Sequence, residues 1–187
     1  YIPRIISRAH TEKQSMMAPN HVDRLPLVGA TRRNHSLEHA TLQVLAEKFH
    51  NLRMSGVSFA RGFYLNVDLP TDIVTRAALE AEKRLKAGES QLAVHPHCGT
   101  NLIVPATVAA SFAWLTWLIT QRRKQPGWVQ VSLAALVAVP AFFLARPLGP
   151  VVQQKIMTSA DIGETSIRQV ISMRYGNTFF HKIITES

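Results

Sequence analysis

The sequence predicts a small α/β domain, two helices on a mixed sheet of about four strands, interrupted by a transmembrane helical hairpin. Three observations carry that reading. Leu102–Thr120 and Trp128–Leu144 contain no Asp, Glu, Lys or Arg, and only a short polar turn separates them. The first run is long enough to cross a hydrocarbon core of about 30 Å, and the second is slightly short of it. Helix-period stripes precede the pair, and strand-period alternation lies on both sides of it, so one sheet is expected to draw strands from both flanks. An even number of crossings returns the chain to the side it left, as a shared sheet requires. The expected division is an extended tail over 1–31, the first part of the α/β domain over 32–100, the hairpin over 101–146 and a completing β-hairpin over 147–187.

The elements follow in chain order. Residues 1–31 show no sustained period and carry Pro19 and Pro26. They cannot bury a face of their own, and ordering each residue costs about 1–2 kcal/mol. A partner is therefore expected to supply contacts to Ile2, Ile5, Ile6, Met16 and Met17. A helix is expected from Asn34 to about His50, with Asn34 or Ser36 as its N-cap. Leu37, Ala40, Thr41, Val44 and Leu45 form its core stripe, with His35 and His39 on the other side. Val57, Phe59, Phe63, Leu65 and Val67 alternate as one half-buried strand. Thr71 is the expected cap of a second helix with the stripe Val74, Ala77, Ala78, Ala81 and Leu85. Glu80–Arg84 and Glu82–Lys86 are spaced for i,i+4 pairs, and Gly88 suits the C′ position. Gln91–His95 is expected as a short strand.

In the apolar pair, Trp114, Trp117 and Trp128 gather at the end bearing Arg122-Arg123-Lys124, as an interfacial aromatic belt does. Lys83, Arg84, Lys86, Arg146 and Lys155 crowd the opposite end. With no signal segment ahead of the first run, both termini are expected in the cytoplasm, in an inner cytoplasmic or photosynthetic membrane. Past Pro150, Ile167, Ile171, Met173 and Tyr175 share one strand face. Gly176-Asn177 turns the chain, and Phe180, Lys182 and Ile184 return.

The net charge is +9, from 21 basic and 12 acidic side chains. The basic residues are scattered, with no aromatic–basic stripe, which points to an anionic lipid bilayer and away from nucleic acid. The single cysteine excludes an internal disulfide.

Chemistry-bearing residues fall into two patches. Arg33-Asn34-His35-Ser36-Leu37-Glu38-His39-Ala40-Thr41 contains H-x-x-E-H, which sets two imidazoles on one helical face, in reach of one ion. His95-Pro96-His97-Cys98 adds imidazole and thiolate donors, types that Zn²⁺ prefers. His35, His39, His95, His97 and Cys98 are thus candidate metal ligands, with zinc the expected ion if one is bound. The competing reading of the second patch is a tight turn before the first span.

Two resemblances follow from these residues. His35-Ser36-Leu37-Glu38-His39 resembles the helix motif of the pitrilysin-type inverzincins, which implies His35 and His39 as ligands and Glu38 as general base. Those enzymes take a third ligand from a glutamate much further along the chain. Glu80 and Glu82 come too early, and the chain is far shorter. A broader resemblance rests on Arg33–Thr41, Arg61-Gly62-Phe63, Leu92–Leu102 and the apolar pair. It is to a membrane family, a domain of unknown function in phototrophic bacteria and plastids. That resemblance implies two spans and a tie to photosynthetic membranes.

The expected function is therefore a non-catalytic membrane subunit attached to integral subunits of a larger bioenergetic, photosynthetic complex. The alternative is a membrane-anchored H-x-x-E-H metal-dependent hydrolase, zinc-metallopeptidase-like with Glu38 catalytic, or a metal-binding assembly factor on the same ligands. The lack of charge within both spans argues against a transporter or proton relay.

Overall fold

The computed structural model describes residues 25–175 and 178–186. The predicted tail anchors Ile2, Ile5, Ile6, Met16 and Met17, and the turn Gly176-Asn177, lie outside them. The chain forms two compact units, one from residues up to His95 plus Ile156 onward, the other from Pro96–Lys155.

Among the described residues, the first unit is an α/β sandwich of two helices and a four-stranded sheet. Helix α1 spans Pro26–Lys48, β1 Ser55–Phe59, β2 Gly62–Asn66 and α2 Thr71–Lys86. Strands β3 (Ser166–Tyr175) and β4 (Thr178–Glu186) close it. Strand order is β1-β2-β4-β3 with every neighbour antiparallel, so the sheet is not mixed. The C-terminal hairpin joins the sheet through β2–β4 pairing. Leu37, Val44, Leu45, Phe63, Leu65, Val74, Leu85 and Ile183 fill the core.

Several boundaries differ from the sequence reading for identifiable reasons. Helix α1 begins at Pro26, whose fixed φ suits a first helical position, so 26–31 belong to the helix and not to an extended tail. Asn34 and Ser36 are therefore mid-helix, not caps. Thr71 is the first residue of α2, behind Pro70, with no side-chain cap. The single strand expected over 57–67 is a tight hairpin turning at Ala60-Arg61. Its register pairs odd residues of β1 with even ones of β2. Gly56 and Ser58 consequently share the core face with Phe63 and Leu65, and Val57 is 68% exposed. Gln91–His95 is no strand, because Ser90–Ala93 forms a 3₁₀ turn. A bulge between Ile167 and Gln169 resets the alternation of β3, so Ile167 and Val170 pack on the core while Met173 is exposed. Of the expected helix pairs Glu82–Lys86 forms, whereas Arg84 bridges to Glu47 and Glu89.

His181 is fully buried on β4, opposite Leu65 on β2 and Ser172 on β3. Burial pushes its pKa below the ordinary 6.5, against a smaller opposing pull from the Val67 and Leu69 backbone. The unfolded chain thus takes up a proton near pH 6.5 that the folded chain refuses, and stability is lost as pH falls below that value. Denaturant midpoints between pH 8 and 5 are expected to fall more steeply for the natural chain than for His181→Leu. Parallel curves would show that the ring titrates alike in both states.

The second unit holds α3 (Thr100–Arg122) and α4 (Gly127–Ala145), joined by a four-residue turn, then the short α5 (Leu148–Val152) and a π turn at Gln153–Met157 whose last two residues belong to the first unit. Both long helices are long and apolar enough to cross a membrane, and only 6% of each apolar window is buried. A hairpin at the core of this chain would be mostly buried, and these two helices are not. Trp114, Trp117 and Trp128 are all exposed, near the turn. Pro105 and Pro140 lie within the helices.

Candidate metal centre

Helix α1 positions this centre, and its residues divide into rows spaced four apart, each row meeting a different neighbour. Arg32 and Ser36 form the first row. The Arg32 guanidinium donates to the Thr158 carbonyl at 2.6 Å, and the Ser36 hydroxyl donates to the Ser159 carbonyl at 2.7 Å. Asn34 and Glu38 form the second. The Asn34 amide donates to the Phe59 and Ala60 carbonyls at 2.8 and 3.1 Å, and its oxygen accepts from the Thr185 hydroxyl at 2.7 Å. Glu38, 4% exposed, accepts from the Ser58 hydroxyl. A Cβ on Gly56 would stand 2.5 Å from the Glu38 carboxylate oxygen, so the glycine makes room for it.

The third row is His35, His39 and Gln43. The Gln43 amide donates to the Leu92 and Val94 carbonyls at 2.8 and 3.1 Å, which fastens the 3₁₀ turn to the helix. His39 is buried, with Nδ1 2.8 Å from the Ala93 carbonyl oxygen. His35 is half-buried, with Nδ1 3.1 Å from the Met157 carbonyl oxygen. A carbonyl only accepts, so each Nδ1 carries the proton and each Nε2 is the basic nitrogen of the neutral ring. The two ring centroids are 4.2 Å apart, and one ring nitrogen of each lies within 4.8 Å of one of the other's. The His95 ring centroid is 5.7 Å from that of His39.

The first unit therefore brings together His35, His39 and His95 of the predicted ligands. His97 and Cys98 belong to the second unit, where the Cys98 thiol lies 3.4 Å from the Thr100 hydroxyl. Sequence reasoning missed Ser58 and Gly56 as the seat of Glu38. It also missed the backbone carbonyls of Ala93 and Met157, which no side-chain motif announces.

The chain is 36% identical over 138 residues to an uncharacterised protein of Picosynechococcus sp., a match that covers 68% of this chain and 65% of that protein. This chain thus spans less than two thirds of its relative's length. No solved structure matches it significantly. The family described as domain of unknown function DUF6391 matches residues 30–170, which take in most of α1, the 3₁₀ turn and both apolar helices. The chain belongs to that family.

Proposed function

We propose that the chain is a non-catalytic, membrane-anchored accessory subunit of a larger bioenergetic membrane complex, a photosynthetic one by the resemblance of its motifs. The observation that carries this reading is the pair of consecutive apolar helices, of whose apolar windows only 6% is buried. Side chains of that kind are at home in lipid or against other membrane helices. Two crossings leave both termini on one side, the cytoplasmic one in this proposal. The hydrolase alternative needs Glu38 to activate a metal-bound water. Its carboxylate instead accepts a hydrogen bond from Ser58 and is packed over Gly56, which favours a structural role. The N-terminal tail is the proposed contact with integral partner subunits, through Ile2, Ile5, Ile6, Met16 and Met17.

One experiment in native membranes tests both halves. The tagged chain is expected in the membrane fraction after an alkaline wash, and in a discrete assembly with integral proteins after mild detergent extraction. Leu136, 69% exposed at the middle of α4, is the decisive position for anchoring. Leu136→Arg is expected to cost about 2.5–3.5 kcal/mol of insertion free energy and to deplete the membrane-bound pool. On a water-exposed helix the same change would stay within about 0.5 kcal/mol. Deleting residues 1–20 is expected to release the chain from its assembly while it stays folded and membrane-bound. A deletion variant retained at full occupancy, or one that loses a hydrolytic activity instead, overturns the subunit reading.

A further inference from the structure

We propose that His35 and His39, joined by His95, bind one divalent transition-metal ion of the zinc class. Four observations converge on it. The first is spacing: an i,i+4 pair places both rings over one point beside the helix, with centroids 4.2 Å apart. The second is tautomer. Each ring commits Nδ1–H to a backbone carbonyl, Ala93 for His39 and Met157 for His35, which makes Nε2 the electron-pair donor in both. Metal-ligating histidines are oriented in this way, because the carbonyl fixes the ring and raises the basicity of the other nitrogen. The third is the setting. His39 is buried and His35 half-buried, and each ring is held by a backbone carbonyl. The fourth is His95, whose ring centroid is 5.7 Å from that of His39.

The geometry needs little adjustment. Two ligands on a tetrahedral zinc stand about 3.3 Å apart, given bonds of about 2.05 Å. One ring nitrogen of His35 and one of His39 lie within 4.8 Å of each other. Side-chain rotations close that gap, and a rotation of His95 is required to bring in a third imidazole. An all-imidazole set suits Zn²⁺, Co²⁺, Ni²⁺ and Cu²⁺ and disfavours Mg²⁺ and Ca²⁺. The fourth position is left to water or to another donor. This inference is independent of the subunit proposal, since the ion is a bound component and no reaction is assigned to it.

The test uses the full chain in detergent, stripped with chelator and titrated with Zn²⁺ alone by calorimetry, then with Co²⁺ alone by visible absorption. About one Zn²⁺ per chain is expected, with Co²⁺ bands of the intensity of a tetrahedral site. Alanine at 35 or 39 would delete the bond to the carbonyl as well as the ligand, so asparagine is the better replacement. Its amide N–H₂ stands where Nδ1–H stood and can donate to the same carbonyl, while Nε2 is gone. His35→Asn/His39→Asn is expected to melt like the natural chain and to bind Zn²⁺ more than roughly 100-fold more weakly, beyond the roughly 10–100-fold of losing an outer partner. His95→Ala is expected to weaken binding by at least roughly 10-fold, and His50→Ala, exposed past the end of α1, to change nothing. Absence of stoichiometric Zn²⁺ in the natural chain overturns the proposal. So does a folded double asparagine variant that binds as tightly as its parent, and an unaffected His95→Ala removes the third ligand.

Discussion

Gly62→Ala is expected to cost the α/β unit about 4 kcal/mol or more, most of the stability of a domain at the low end of the usual range of about 5–15 kcal/mol. Gly62 opens β2 with φ at +139°, where L side chains are rarely found. A Cβ there would stand 1.9 Å from the carbonyl oxygen of Ile183, in the backbone of β4. No rotamer change relieves that collision, because both partners are main chain. Either β2 and β4 separate or the hairpin turn moves, and either change also disturbs the Asn34 bonds to Phe59 and Ala60. Gly163→Ala isolates the conformational part of the cost. Gly163 also has positive φ, +52°, but open space where its Cβ would go, so about 1–2 kcal/mol is expected. Urea titrations of both variants measure the difference. Equal losses would mean that β2 and β4 do not approach as closely as described.

What the sequence revealed divides by the range of the interaction. The core stripes of α1 and α2 were legible because a helix repeats its burial every three to four residues, and each stripe residue is indeed buried. The apolar helices were legible from length and composition, and the C′ role of Gly88 from local conformation, with φ at +92°. The β1–β2 hairpin was not. Alternation from Val57 to Val67 counts correctly for one straight strand, and nothing in Ala60-Arg61 advertises a turn. The parity switch across that turn then sends Val57 outward and admits Gly56 and Ser58 to the core face. The bulge in β3 defeats alternation in the same way, by one uncounted residue.

The histidine row was legible for a different reason. H-x-x-E-H is a spacing, and spacing on a helix survives an error of two turns in where the helix starts. The role of Glu38 is not legible in a spacing, because a general base and a structural carboxylate look alike until neighbours such as Ser58 and Gly56 are placed over it. Asn34 and Ser36 were misread for a related cause. Polar residues that cap helices are the same ones that, mid-helix, reach across to another element's carbonyls. Local sequence does not distinguish the two uses.

That distinction makes Asn34 the second position of large expected effect. Asn34→Ala is expected to cost about 3–5 kcal/mol. The substitution strips the Phe59 and Ala60 carbonyls and the Thr185 hydroxyl of one partner each, at about 1–3 kcal/mol per buried group. The half-buried carbonyls recover some of this from water, which sets the lower end. Asn34→Asp should be no better, although it keeps the volume and the acceptor for Thr185. Its other carboxylate oxygen faces two carbonyl oxygens, and a charge without donors there must be desolvated. His35→Asn, one residue further on, is expected to cost less than about 1 kcal/mol, since it keeps the donor to Met157. Adjacent motif residues thus should differ severalfold in stability and in the opposite sense for metal: Asn34 holds the hairpin and β4 to the helix, and His35 presents a ligand. Denaturant midpoints of the three variants decide it. A loss below about 0.5 kcal/mol for Asn34→Ala would show that α1 is held to the sheet by its apolar stripe alone.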